Sequence, residues 1–127
     1  MMLSALIMAA TGIFLQFFPH ETLRYFGDPA TGITPLLLQI TGALYLGWAM
    51  TNWMAKTVLI GGIYARPLAI GNFAHFLVGA LALIKYAFAT PQLRLAWIFA
   101  VVYALLAAIF GIVMFTHPLK TNDTAQN

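Results

Sequence analysis

The chain has 127 residues, of which 62% are hydrophobic and 7% charged, with a formal net charge of +3. Soluble domains are about 25% charged and a chain this small leaves much of its surface exposed on folding, so the composition excludes an ordinary soluble domain and points to a bilayer as the solvent. The six basic residues, Arg24, Lys56, Arg66, Lys85, Arg94 and Lys120, are too scattered to form a nucleic-acid-binding stripe, and the absence of cysteine removes disulfides, thiol chemistry and cysteine-ligated metals.

The first apolar run, residues 2–18, has no basic n-region and no A-x-A cleavage site, and reads as a membrane span rather than a cleaved signal. Pro19 ends it. The following stretch PHETLRYFG, residues 19–27, has a helix start, a helix stop and mixed polarity, which predicts a short helix lying in the membrane interface. Asp28-Pro29 and Gly32 form a loop, and Thr34-Pro35 reads as a cap followed by a helix-starting proline. A second span is predicted over residues 35–54. The stretch TVLIGGIYA, residues 57–65, is apolar but carries Gly61-Gly62, and either dips into the interface or extends a helix. Arg66-Pro67 opens a third span at 67–89, Thr90-Pro91 separates it from a fourth at 93–116, and His117-Pro118 ends that one. Each run is long enough for about 30 Å of hydrocarbon. The expectation is all-α: an integral membrane four-helix bundle with a short interfacial helix between spans one and two. A single four-span transmembrane domain occupies residues 1–118, and a disordered polar tail occupies 119–127.

Four spans place both termini on one face. That face carries Lys56, Arg66 and Lys120, and the other carries Arg24, Lys85 and Arg94, so the positive-inside rule is tied. Glu21 and Asp28 on the second face tip the orientation toward cytoplasmic termini. The basic residues sit at helix ends, where they reach for lipid headgroups.

Span one has a stripe of small residues ending in a glutamine, Ala5, Ala9, Gly12 and Gln16, and span four has Ala96, Ala100, Ala104, Ala107 and Gly111. Small residues let membrane helices approach closely, and packing drives association where lipid offers no hydrophobic gain. On span two, Thr34, Thr41, Tyr45, Trp48 and Asn52 fall within about 60° of one another at helical spacing. Span three carries Asn72, His75, Phe76, Gly79, Leu83 and Tyr86 as a second stripe. Polar residues in spans usually face protein rather than lipid. Antiparallel spans two and three bring Trp48, Asn52, Asn72 and His75 to one depth, with Arg66 positioned to cap them, while Gln16 and Gln39 are expected near the opposite face.

His75 is the ionisable residue deepest in any span, and such a residue is a functional candidate by default. It suits haem ligation, a proton relay or a polar ligand group; the structural alternative is a neutral imidazole bonded to Asn72 or to a neighbouring helix. Bis-His haem needs a second histidine at matching depth, and neither His20 nor His117 provides it, whereas a five-coordinate haem stays open. Arg66 has no obvious acidic partner, so a lipid phosphate or an anionic substrate is its expected counter-ion. No carboxylate lies within a span, which argues against a proton-coupled exporter built on an acidic residue and removes di-carboxylate catalysis. Ser4, the only serine, has no base beside it.

Three features together resemble the small four-helix bacterial membrane proteins that include the DoxX-like families. They are FFPHETLRYFG after the opening span, the glycine-rich QITGALYLGWAMTNW, and GGIYARPLAIGNFAHFLVGALALIK entering span three. The resemblance covers most of the chain as layout. It implies a bacterial inner-membrane protein, in some members a subunit of a respiratory oxidoreductase. The leading expectation is a non-catalytic accessory subunit or small homo-oligomer, with the lipid bilayer and larger membrane complexes as partners, no nucleic acid and no required cofactor. The alternatives are a binding or redox-accessory module, with Tyr45, Trp48, Asn52, Arg66, Asn72 and His75 around a quinone-like, haem or lipid ligand, and a dual-topology channel or transporter.

Overall fold

Apolar runs must satisfy their backbone hydrogen bonds internally wherever water is excluded, and here they do so as helices. A computed structural model describes residues 1–57 and 65–115. The elements are α1 (Met2–Phe17), α2 (Pro19–Tyr25), α3 (Thr34–Met54) with a 3-10 turn at Ala55–Thr57, α4 (Ala65–Ala89) and α5 (Arg94–Phe115). Contacts divide the chain into two units, Met1–Thr57 and Val58–Asn127. The expected His117-Pro118 stop, the last residue of the fourth span, the Gly61-Gly62 interruption and the polar tail lie outside the described residues.

In the first unit, α1 packs along α3. A Cβ on Gly12 would meet the Gly42 carbonyl at 2.9 Å, and Met8 sits against Asn52, so the two helices run antiparallel. The expected stripe on α1 forms this contact in part: Ala5 and Gly12 are buried, while Ala9 and Gln16 are half-buried. The chain turns by 96° at Phe18, where Pro19 starts α2 without needing a backbone donor. Thr22 Oγ1 donates to the Phe18 carbonyl at 2.7 Å and fixes that corner. The loop into α3 takes left-handed conformations at Gly27, Ala30 and Gly32, and the Ala30 amide donates to Asp28 Oδ1 at 2.8 Å. Thr34 does not cap α3 as expected. The helix already includes it, Ile33 holds the cap position, and no side chain bonds the free amides there.

The second unit is an antiparallel helical hairpin closed by the turn at residues 90–93, where the Leu93 amide donates to the Thr90 carbonyl. Its buried α4 side is Ala69, Asn72, Phe76, Ala80 and Ala87, at helical spacing; on α5 Ala96, Ala100, Tyr103, Leu106, Ala107 and Phe110 are buried. Two expectations fail here. Ala104 is exposed and Tyr86 is 42% exposed, because each lies to one side of the helix seam. Pro67 does not begin α4; the helix starts at Ala65, and Pro67 falls in the first turn, where no amide has an intrahelical partner.

Among the described residues two helices are long and apolar enough to cross a membrane, Arg66–Ala89 and Arg94–Phe115, and α1 with α2 would make a third if that bent pair is one span. The 16 residues of α1 rise only about 24 Å. On α3, Thr34, Gln39, Thr41, Thr51 and Asn52 dilute the apolar character. Both threonines in the body of α3 turn their hydroxyls back on the helix, Thr41 to the Leu37 carbonyl at 2.8 Å and Thr51 to Gly47 at 2.9 Å.

Candidate ligand-binding site

The sequence-predicted site residues fall in both units: Tyr45, Trp48 and Asn52 on α3, and Arg66, Asn72 and His75 on α4. In the first unit Asn52 is fully buried, and its Nδ2 points at Met8 Sδ, 3.5 Å away. A thioether is a weak acceptor, so this contact is chiefly packing against a fully buried methionine. Tyr45 and Trp48 are half-buried on the same helix. Ser4 is buried too, and its hydroxyl donates to the Met1 carbonyl at 2.7 Å, a local bond within the first turn of α1.

In the second unit Asn72 is fully buried and donates its Nδ2 to the Leu68 carbonyl at 2.9 Å, one turn back on α4. His75 is half-buried. Its ring meets Phe76 edge-on with centroids 5.1 Å apart and lies tilted against Tyr103 at 5.9 Å. Phe76 is the centre of the hairpin: it stands edge-on to Tyr103 at 5.3 Å and stacks on Phe110 at 5.8 Å with an 11° interplanar angle. Gly79 makes room for this cluster, since a Cβ there would stand 2.7 Å from the Tyr103 ring.

Arg66 does not join His75. It is exposed in the first turn of α4, nine residues before His75, which is about half a turn around the helix at 100° per residue. A capping role over Asn72 and His75 is therefore not the geometry of α4. Tyr103 was missed as a site residue. Its signal was present in the sequence: a phenol within the run Ala96, Ala100, Tyr103, Ala107, at spacings of four, three and four.

The arrangement offers an imidazole beside a phenol within an otherwise apolar hairpin. The Nε2 atom of His75 is buried. A haem held through that nitrogen would need it open toward an iron, so the folded hairpin does not offer Nε2 as an axial ligand. Among the described residues no three of His, Asp or Glu gather at metal-binding distance. In the first unit, Gln16 Oε1 is buried and receives no hydrogen bond from any described residue, Gln39 included.

Compared with known protein families, characterised proteins and solved structures, the chain matches none.

Proposed function

We propose that the chain is a four-span inner-membrane protein with a non-catalytic role, an accessory subunit or a small oligomer, of the DoxX-like layout. One observation carries this reading. Along α5, Ile98, Val101, Leu105, Ile109 and Ile112 recur at helical spacing and are each about half exposed or more, an apolar outward stripe on a helix long enough to cross a membrane. Such a stripe meets lipid tails or other apolar helices. The 96° corner at Phe18 supports placing α2 in the interface, with His20, Glu21 and Arg24 exposed and Thr22 and Leu23 buried.

The deciding experiment is gentle purification into nanodiscs followed by mass spectrometry of the intact particle. A stoichiometric larger chain, or a discrete homo-oligomer, is the expected result. Release of the chain from membranes by an alkaline carbonate wash overturns the membrane reading itself.

A second reading rests on the imidazole–phenol neighbours His75 and Tyr103: a module that holds a quinone-like or lipid ligand by its polar head. It predicts that His75→Ala removes a co-purifying small molecule while the fold persists. Unchanged small-molecule content in that variant sinks it.

A further inference from the structure

The α4–α5 hairpin carries a groove of about 730 Å³ on its outer side, walled by Phe73, Leu77, Ile84 and Phe115 and floored by small residues including Ala104 and Ala108. This volume is that of a small-molecule site, yet every lining residue is apolar. A groove of this kind cannot recognise a polar head within itself; it takes a hydrocarbon chain. Of its walls Leu77 and Phe115 are exposed and Phe73 and Ile84 half-buried, and Ala104 and Ala108 on its floor are exposed, so it opens along the hairpin surface.

The direction in which it runs identifies the ligand. On α4, Phe73, Leu77, Ala80 and Ile84 lie within about 60° of one another, and Arg66 falls on the same face, seven residues and about 10 Å before Phe73. On α5 the Phe73 ring lies against Gly111 and Phe110 stacks on Phe76. Continuing this antiparallel register sets Phe115, the last groove residue, opposite residues 69–71 of α4, about one turn from Arg66. The groove therefore runs toward an exposed guanidinium at the end of a membrane-length helix. The chain has three acidic residues, Glu21, Asp28 and Asp123, and none belongs to α4 or α5. A guanidinium there calls for an anion from outside the hairpin, and phosphate matches its planar fork.

We propose that this groove binds one anionic phospholipid of the bilayer, with an acyl chain along the α4–α5 groove and the phosphate on Arg66. The site lies on the face of α4 opposite His75 and is separate from any ligand there. The inference rests on the hairpin spanning the membrane as proposed above.

The test uses the full chain in nanodiscs of mixed phosphatidylglycerol and phosphatidylcholine, transferred to detergent and weighed intact with its retained lipid. The wild-type chain is expected to keep one phosphatidylglycerol in preference to phosphatidylcholine. Arg66→Gln lowers that preference roughly tenfold, the scale of one charge-assisted contact. Ala108→Leu fills the floor at an exposed position, so it spares the fold, and it lowers retention of both lipids. Equal retention of the two lipids by the wild type, or retention unchanged in both variants, overturns the proposal. So does a dimer that Ala108→Leu converts to monomer, which would make the groove a contact between copies. A chain that fails to enter nanodiscs at all instead refutes the membrane reading, and the two failures are thereby distinct.

Discussion

Gly42→Ala tests the close approach that sets the first unit. A Cβ at Gly42 would stand 2.8 Å from the Gln16 amide nitrogen, 2.9 Å from the Gly12 carbonyl oxygen and 3.1 Å from Leu15 Cβ. Two of these neighbours are backbone, so no rotamer change relieves them, and α1 and α3 must move apart. Overpacking of this sort costs about 1–3 kcal/mol. Alanine is also the better helix former, by about 1 kcal/mol, and this gain opposes the loss. Gly47 provides the control on the same helix: it is exposed, and a Cβ there meets nothing within 4 Å. Gly47→Ala therefore reports the helical gain alone, and the difference between the two variants isolates the steric cost. Reversible unfolding in mild detergent, followed by circular dichroism, reads both. The expected order is Gly47→Ala at or above wild type and Gly42→Ala below Gly47→Ala by about 1–3 kcal/mol. If the two variants shift the midpoint equally, the helices are not in contact at Gly42 and the packing argument fails. The double variant Gly12→Ala/Gly42→Ala adds a further check. Once the helices have separated for one methyl, the second fits cheaply, so the combined loss should fall short of the sum.

Phe76→Ala removes a fully buried ring that contacts His75, Tyr103 and Phe110, and should cost about 3–5 kcal/mol in the same unfolding measurement; a loss below 1 kcal/mol would show that the hairpin is not packed around it. Gln16→Met replaces a buried acceptor that no described residue satisfies with an apolar side chain of similar length, and should raise stability by about 1 kcal/mol, whereas a loss of stability would reveal a donor at that site. The lack of native cysteine makes topology directly readable. Thr31→Cys and Gln92→Cys, in the α2–α3 loop and the α4–α5 turn, should react with an impermeant maleimide from the same side of the membrane. Labelling from opposite sides overturns the four-span topology.

Much of the fold was legible because helix boundaries in so apolar a chain are a matter of composition. The runs at 35–54 and 93–116 appear as Thr34–Met54 and Arg94–Phe115, and PHETLRYFG folds as the short α2. Proline and glycine positions mark where helical hydrogen bonding cannot continue, and that information is local. Membrane crossing was less legible than helicity: α1 is short and α3 is diluted by polar side chains, so among the described residues two helices, or three with the bent pair, meet the requirement by length and apolarity.

The candidate site was legible only in part, because membership of a stripe does not say which side of the stripe a partner touches. Asn52 and Asn72 were picked out correctly as buried polar groups, since an amide in an apolar helix must face protein. Arg66 and His75 were grouped by depth, yet the 3.6-residue period places them on opposite faces of α4. Gly42 stood in the sequence as one glycine among several, and only the approach of α1 to within 3 Å of its missing side chain separates it from Gly47. Tyr103 likewise depends on the space left by Gly79 on another helix. Composition and periodicity fix which residues are helical and which are apolar. The pairing of one helix with another rests on shape between residues distant in the chain, and no local pattern encodes that.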